Sequence, residues 1–232
     1  MVLDVDPVAV CGEWIRHAPH RSDLLGRSPE PTDGRWQRSE LIRGLYLADE
    51  PHTAIAEWYR YLAERGLPPS AAIPHDHHRW RVDLAVADVS TTERLAAVGL
   101  NPLRPSRRDW PPYQDIGEAL WRDGWRGVIA PSAARPTAQT ICVFCDDWPP
   151  IGCTPLRAIE ITQAPPPPLT GDREHRGPAG RGVQPLERGR SHRRQRRARP
   201  DLRRQRDKAQ RRRVDALGRA PSVGQPAVAL EL

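Results

Sequence analysis

Five side chains are of types that could act together on a phosphate-bearing substrate: Arg16, Arg35, Tyr46, Glu57 and Ser132. The sequence has no Gly-rich loop of the Rossmann or P-loop type, so side chains would have to hold the phosphates of a nucleotide. Arginine suits this task because its planar guanidinium can pair with two phosphate oxygens. Arg16 and Arg35 are therefore candidate anion-binding residues. The ordinary alternative for each is an ion pair with a surface carboxylate.

Tyr46, Glu57 and Ser132 each have a functional and a structural interpretation. Tyr46 ends a predicted strand, where it could stack on a ring, present its hydroxyl to a sugar, or simply fill the core. Glu57 could be a catalytic carboxylate or a solvated helix residue. Ser132 follows a strand, where its hydroxyl could reach a ligand or cap the local turn. The chain lacks a Gly-x-Ser-x-Gly elbow, which argues against a serine hydrolase.

Two groups of residues could be metal ligands: the imidazoles of His75, His77 and His78, and the thiols of Cys142 and Cys145. A structural zinc site needs a full ligand set, usually from two such pairs at suitable spacing. The sequence offers no second cysteine pair of this kind. The two thiols, three residues apart on a predicted strand, would also point to opposite faces. We therefore expect no metal site.

The mixture of helical and strand patterns predicts an α+β fold. The clearest helix begins after Asp49, an acceptable N-cap, and ends at Gly66, which is followed by two prolines. Its apolar residues recur at helical spacing, whereas Glu57 lies on the opposite side, facing solvent or a cleft. Further helices are predicted after a capping box at 90–93 and over 113–123. Strands are predicted at 13–17, 41–47, 81–86, 127–130, 140–144 and 156–161, with 67–79 as a loop.

The charge is divided unevenly along the 232 residues. Residues 1–170 carry 18 basic and 22 acidic residues, whereas residues 171–232 carry 18 basic and 7 acidic residues, a net charge of +11. This second part lacks aliphatic clusters that could offset chain entropy, so it is predicted to be disordered. Counterion release could draw it to nucleic acid, but it has no interleaved aromatics or known motif, which favours a solvated extension.

We therefore predict an N-terminal extension at 1–11, a single compact domain at 12–164 and a disordered Pro- and Arg-rich tail at 165–232. Four cysteines are too few and too scattered for a disulfide scaffold. No stretch approaches the roughly 20 apolar residues of a membrane span. The acidic N-terminus lacks the basic start of a signal peptide. The expected location is the cytoplasm, without membrane association.

The order of the candidate residues resembles the RES domain, a family named for its Arg, Glu and Ser. Tyr46 lies eleven positions after Arg35, and Glu57 lies eleven positions after Tyr46. The resemblance covers roughly residues 12–162. Five runs carry it: Gly34-Arg35-Trp36, Leu45-Tyr46-Leu47-Ala48, Ala54-x-Ala56-Glu57, Glu13-Trp14-Ile15-Arg16-His17 and Trp125-Arg126-Gly127-Val128-Ile129-Ala130-Pro131-Ser132-Ala133.

Members of this family are toxin-type enzymes that degrade NAD, with a compact α+β fold related to ADP-ribosyltransferases. The resemblance implies cleavage of the nicotinamide–ribose bond of NAD, with inorganic phosphate or water as acceptor. Nicotinamide departure leaves an oxocarbenium-like ribose, the electrostatic problem that glycosidases solve with carboxylates. This chemistry needs no metal or further cofactor.

The resemblance also implies a role for each candidate residue. Glu57 would hold the ribose hydroxyls and stabilise the cation. Arg35 and Arg16 would bind the pyrophosphate or the attacking phosphate. Tyr46 would pack on the nicotinamide or its ribose, and Ser132 would donate a hydrogen bond near the reacting sugar.

The partners implied are those of a toxin–antitoxin pair. An antitoxin of the Xre helix-turn-helix type would block the cleft, and a homo-oligomer is a further candidate assembly. Two alternatives stay open on the sequence. The fold could transfer ADP-ribose to a macromolecule, or the chain could be a non-catalytic module whose basic tail binds nucleic acid.

Overall fold

A computed structural model describes residues 3–25, 32–145, 148–167 and 183–185. These residues form seven strands and three helices, with short 3-10 turns at Pro69–Ala72 and Arg107–Asp109. The strands are β1 Pro7–Pro19, β2 Arg43–Ala48, β3 His75–Asp88, β4 Gly127–Pro131, β5 Gln139–Cys145, β6 Cys153–Ile161 and β7 Val183–Pro185. The helices are α1 Pro51–Ala63, α2 Thr92–Ala97 and α3 Trp110–Arg122. The predicted α+β composition is confirmed.

The sheet closes on itself to form a small barrel. Its strand order is β6-β3-β4-β5-β2-β1-β7, and β1 also pairs with β3, so β3, β4, β5, β2 and β1 make a ring. Pairing along the ring is antiparallel except between β3 and β4. The longest ladder joins β1 to β3 over thirteen residue pairs. The weakest joins β1 to β2 through the single pair of Ile15 and Ala48.

Two apolar cores follow from the alternation of side chains along these strands. One core collects one face of all five ring strands and therefore fills the barrel; it includes Val10, Leu45, Trp80, Ile129 and Ile141. The other lies between the opposite face of the sheet and α2 and α3; its members include Trp36, Val128, Cys142, Leu95, Tyr113 and Leu120. Strands β3, β4 and β5 contribute buried residues to both cores, as expected where helices cover a sheet.

Helix α1 is the element that the sequence predicts best, but its N-cap differs from the prediction. Glu50, not Asp49, is the N-cap, and Pro51 is the first helical residue. The Asp49 carboxylate instead accepts a hydrogen bond from the backbone N–H of Gln139 at 2.8 Å, and the Asp49 N–H donates to the Gln139 carbonyl. Asp49 therefore extends the β2–β5 ladder by one residue, and the helix starts only after it.

The loop predicted at 67–79 is wrong in its second half. Residues from His75 onward belong to β3, where they pair with β1 on one side and β6 on the other. Polar and histidine-rich composition argues for a loop, but pairing on both edges satisfies the backbone hydrogen bonds and overrides this weak preference. Strand β1 is also longer than predicted, since it begins at Pro7, inside the segment assigned to an N-terminal extension.

The predicted tail lies mostly outside the described residues. Within it, the structure describes residues 165–167 and the strand Val183–Pro185, which pairs antiparallel with Val8–Val10 of β1. Disorder of the remainder stays a prediction. No helix among the described residues is long and apolar enough to cross a membrane.

Gly117 in α3 allows the helix to lie directly against the turn that carries Arg35. A Cβ at this position would overlap the carbonyl oxygen of Trp36, a backbone atom that cannot move aside alone. In addition, Gln114 of α3 donates a hydrogen bond from Nε2 to the Gly34 carbonyl at 2.9 Å. The small size of Gly117 thus sets the position of the arginine turn relative to α3.

We predict that Gly117→Ala destabilises the protein, although alanine is the better helix former by about 1 kcal/mol. Overlap with the Trp36 carbonyl should lower the free energy of unfolding by about 1–3 kcal/mol, as overpacking does in a filled core. Urea denaturation followed by tryptophan fluorescence measures this change. A variant as stable as the wild type would contradict the close approach.

Gly99→Ala is the matched control. Gly99 has a φ of 78° and open space around its missing Cβ. Its substitution should therefore cost only the backbone strain, about 1–2 kcal/mol, and should leave the arginine turn unchanged.

Candidate active site

A cavity of about 280 Å³ lies beside α1, β1, β2 and the turn at 34–37. Four of the five candidate residues line it: Arg16, Arg35, Tyr46 and Glu57. The fifth, Ser132, is buried behind the carboxylate of Glu57 and contacts it directly. Residues spread over 117 positions of sequence therefore meet at one place. This arrangement answers the open question about Glu57, which faces a cleft rather than bulk solvent.

The Glu57 carboxylate is held by partners from two elements. The Ser132 hydroxyl donates to Oε1 at 2.6 Å, and the backbone N–H of Ala134 lies 3.4 Å from the same oxygen. Arg60, one turn along α1, donates from Nε to Oε2 at 2.7 Å. The side chain of Glu57 is only 16% exposed. Its orientation is consequently fixed before any ligand binds.

These partners keep Glu57 ionised. Burial on its own would raise the pKa of Glu57, but the charge of Arg60 and hydrogen bonds from Ser132, Arg60 and Ala134 outweigh it. The net effect is a pKa below the usual value for glutamate. At neutral pH the cavity therefore contains a desolvated carboxylate that carries a full negative charge.

Ser132 caps the local turn, as one interpretation of the sequence had it, and it also contacts Glu57. Its Oγ accepts hydrogen bonds from the backbone N–H groups of Ala134 at 3.2 Å and Arg135 at 3.0 Å, as a local turn cap does. The same hydroxyl donates its proton to Glu57. Because the two N–H groups orient the oxygen, the O–H bond is aimed at the carboxylate. Ser132 thus joins the loop after β4 to the helix that carries Glu57.

Arg35 is a buried cation, and one of its donor nitrogens has no hydrogen-bond partner among the described residues. The residue is 7% exposed, and its Nη2 donates to the Arg104 carbonyl at 2.7 Å. Its Nη1 is buried and has no hydrogen-bond partner among the described residues. The guanidinium also lies 5.3 Å from the ring centroid of Tyr113. Burial and the nearby charge of Arg60 lower the pKa of Arg35, although a guanidinium stays protonated at neutral pH.

Arg16 is the second cation of the cavity and comes from β1. Burial lowers its pKa, and no carboxylate among the described residues forms an ion pair with it. The surface ion pair proposed as the ordinary alternative is therefore not formed by Arg16 or by Arg35 in this part of the chain. Two desolvated guanidinium groups facing one cavity make a site that favours an anion with several oxygens.

The Tyr46 hydroxyl forms two hydrogen bonds within the protein, although the residue also lines the cavity. It donates to Gln37 Oε1 at 3.0 Å and accepts from the Trp36 N–H at 2.9 Å. A Cβ on Gly34 would overlap this hydroxyl and the Gln37 amide oxygen. Burial raises the pKa of Tyr46 well above its usual value, so the phenol stays neutral. Tyr46 therefore pins the turn that presents Arg35.

Arg60 and His17 line the cavity but were not singled out from the sequence as site residues. The spacing of Glu57, Arg60 and Glu64 along α1 was the available signal, since residues three and four apart share a helix face. Arg60 bonds both carboxylates. His17 is half-buried beside Arg16 and near two further histidines, and desolvation together with the charge of Arg16 lowers its pKa to about 3. It is therefore a neutral group at physiological pH.

The two thiols weighed as zinc ligands lie on opposite faces of β5, as predicted. Cys145 packs in the core inside the barrel, and Cys142 packs in the core under α3. Burial raises the pKa of the Cys142 thiol well above its usual value. Across the described residues, no group of three or more histidine, cysteine or acidic side chains is placed to hold a metal ion.

The fold and the residues of this cavity define a member of the RES domain family. The sequence profile of the RES domain matches residues 11–169, more than half of the chain, so the chain belongs to this family. A solved structure, the M. tuberculosis MbcT–MbcA toxin–antitoxin complex, has a similar fold. Its TM-score is 0.55 at 22% identity, over 67% of this chain and 87% of that chain.

Curated relatives are similar to part of the chain. The NAD(+) phosphorylase MbcT of Mycobacterium tuberculosis and that of Mycobacterium bovis are each 29% identical to it over 117 residues. The matched segment is 49% of this chain and spans 63% of the length of those relatives.

We predict that Tyr46→Phe lowers the free energy of unfolding by about 1–3 kcal/mol, because the Trp36 N–H and Gln37 Oε1 would lose a buried partner. Urea denaturation measures the change. Tyr61→Phe, at a residue 38% exposed, is the control and should change stability by less than about 0.5 kcal/mol. Equal stabilities of the two variants would show that the Tyr46 hydroxyl does not secure the turn.

Proposed function

We propose that this protein cleaves the nicotinamide–ribose bond of NAD and acts as the toxin of a toxin–antitoxin pair. The observation that carries the proposal is the ionised, immobilised carboxylate of Glu57, which shares one cavity with Arg16 and Arg35. Membership of the RES family and the activity named for its relatives support it.

Glu57 is proposed to stabilise the ribose cation. When the bond breaks, its electron pair leaves with nicotinamide, and positive charge spreads over the ribose carbon and ring oxygen. A preorganised carboxylate in a desolvated cavity stabilises this charge without having to reorient. Ser132 and Arg60 then act as positioning residues, because their hydrogen bonds fix the carboxylate. Tyr46 is proposed to contribute its ring as a wall for nicotinamide or its ribose.

Arg16 and Arg35 are proposed to bind phosphate oxygens. Among the described residues, Nη1 of Arg35 has no hydrogen-bond partner and Arg16 forms no ion pair, so both side chains suit the pyrophosphate of NAD or an attacking inorganic phosphate. We propose phosphorolysis, in which a phosphate oxygen bonds to the ribose carbon and yields ADP-ribose 1-phosphate and nicotinamide. The name of the curated relatives favours phosphate over water as acceptor.

An antitoxin that covers the cavity is the proposed partner. The support is the fold shared with MbcT, which is seen in a complex with MbcA. An Xre-type antitoxin, a homo-oligomer, a cytoplasmic location and a relation to the ADP-ribosyltransferase fold stay predictions.

We predict that the purified full chain consumes NAD and releases nicotinamide, with a rate that depends on inorganic phosphate. Glu57→Gln should lower kcat at least about 100-fold, because a neutral amide keeps the shape but loses the charge that stabilises the cation. Chromatographic assay of NAD, nicotinamide and the ribose product measures both effects.

Glu40→Gln, at an exposed carboxylate outside the cavity, is the matched control and should leave turnover unchanged. Full activity of Glu57→Gln would remove Glu57 from the mechanism. Equal rates with and without phosphate would indicate hydrolysis instead. If the NAD is radiolabelled in its ADP-ribose part, label on a protein or nucleic-acid band would indicate transfer of ADP-ribose to a macromolecule.

The pH profile should depend on Arg60. Activity needs ionised Glu57 and is lost as pH falls through the pKa of this residue, which Arg60 holds below the usual value. Arg60→Gln removes the neighbouring positive charge and should raise that pKa, so that the acid limb of kcat/KM moves to higher pH.

Arg60→Lys keeps the charge and should leave the acid limb close to that of the wild type. Rates are compared only at pH values where tryptophan fluorescence reports folded protein. An unshifted acid limb in Arg60→Gln would contradict the role assigned to Arg60.

A further inference from the structure

Helix α1 and the turn after it present a stripe of side chains to the cavity. Glu57, Arg60 and Tyr61 of the helix line it, as do the C-cap Glu64 and the next residue, Arg65. Their spacing of three and four residues places them along one side of the chain, and the helical rise from Glu57 to Glu64 is about 10 Å. The stripe therefore leads from the reactive carboxylate toward the C-terminal end of α1. Its outer residues are not used in the chemistry proposed above.

The outer end of this stripe is an exposed aromatic ring with a guanidinium on it. Tyr61 is 38% exposed, an unusual exposure for a large ring that lines a cavity. The Arg65 guanidinium lies 3.7 Å from its ring centroid. Planar guanidinium groups stack on nucleobases as aromatic rings do. Tyr61 and Arg65 thus form a layered platform at the edge of the cavity.

A second aromatic–arginine pair, Trp110 with Arg107, also lines the cavity. Trp110, the first residue of α3, lines the cavity, and the Arg107 guanidinium lies 5.1 Å from its ring centroid. The indole Nε1 of Trp110 is buried without a hydrogen-bond partner among the described residues. Arg107 is 52% exposed, so its guanidinium can be reached by a ligand.

An ion pair connects the elements that carry the two aromatic–arginine pairs. Glu64, the C-cap residue of α1, lies 3.5 Å from the Nε of Arg107, while its other oxygen bonds Arg60. The platform of Tyr61 and Arg65 and the pair of Trp110 and Arg107 therefore flank the same entrance. We refer to these four residues together as the cavity mouth.

We propose that the cavity mouth binds the adenosine monophosphate half of the dinucleotide by stacking its base and pairing its phosphate. This inference rests on the proposed function. A cavity of about 280 Å³ is at the small end for ligand sites, so a dinucleotide with its nicotinamide ribose at Glu57 must extend outward. Two arginine-on-aromatic pairs supply both the stacking planes and the cations that an adenine nucleotide requires.

The test compares NAD with nicotinamide mononucleotide, which has the same scissile bond but no adenosine monophosphate half. The wild-type protein should have a higher kcat/KM for NAD than for the mononucleotide. Tyr61→Ala and Arg65→Ala should each reduce this preference roughly tenfold, the usual effect of removing a stacking partner. Arg65→Lys retains the charge but not the plane and should recover only part of the preference.

Matched variants separate the proposal from general damage. Tyr61→Phe keeps the ring and should keep the preference for NAD. Leu156→Ala and Arg157→Ala, at exposed positions on β6 outside the cavity, should also leave it unchanged. A wild-type protein that cleaves both substrates equally well, or a Tyr61→Ala variant that keeps the full preference, would overturn the inference while leaving the proposed NAD cleavage intact.

A binding measurement tests the mouth without turnover. Calorimetric titration of the full chain with adenosine monophosphate should detect binding that weakens roughly tenfold in Tyr61→Ala and is retained in Tyr61→Phe. Binding in a protein that fails to consume NAD would support the mouth and count against the proposed reaction. Binding that is undetectable, or equal in wild type and Tyr61→Ala, would overturn the inference.

Discussion

A buried negative charge is the constraint on which this structure depends. A carboxylate removed from water is unfavourable unless cations and hydrogen-bond donors replace its solvation. For Glu57 these replacements come from its own helix, through Arg60, and from the loop after β4, through Ser132 and the Ala134 N–H. Helix α1 must therefore lie where the end of β4 can reach it. The requirement for solvation couples the position of the helix to the closure of the barrel.

The two cavity arginines present the opposite problem. Arg16 and Arg35 lose hydration on burial, and burial lowers the pKa of each, yet no carboxylate among the described residues neutralises either one. Arg60, by contrast, is shared between Glu57 and Glu64, and these carboxylates keep its pKa raised. The cavity thus separates a neutralised cation, which positions the carboxylate, from two cations whose interactions an anionic ligand could complete. On the proposed function, that separation would divide the site into a reacting end and a phosphate-binding end.

The sequence predicted where helices and strands lie better than it predicted which way their side chains face. Helical spacing found α1 and its apolar face, but periodicity leaves Glu57 equally compatible with solvent and with a cleft. The direction depends on the partners across the cavity, which are 75 positions away for Ser132. The histidine-rich start of β3 shows the same limit, because pairing with β1 and β6 decides its conformation and neither strand is adjacent in sequence. The resemblance to the RES family supplied the grouping of residues that local patterns could not provide.

The position of the cavity follows from the weakest junction of the barrel. Strands β1 and β2 share only the pair of Ile15 and Ala48, so the two strands separate directly beside it. Ala54 of α1 packs on this pair and closes the gap from one side. Arg16 is the next residue of β1 and therefore faces the space that the separating strands leave, with Glu57 one helical turn beyond Ala54. Full pairing of β1 with β2 would seal the barrel and remove this space, so incomplete pairing is what makes the cavity compatible with a closed sheet.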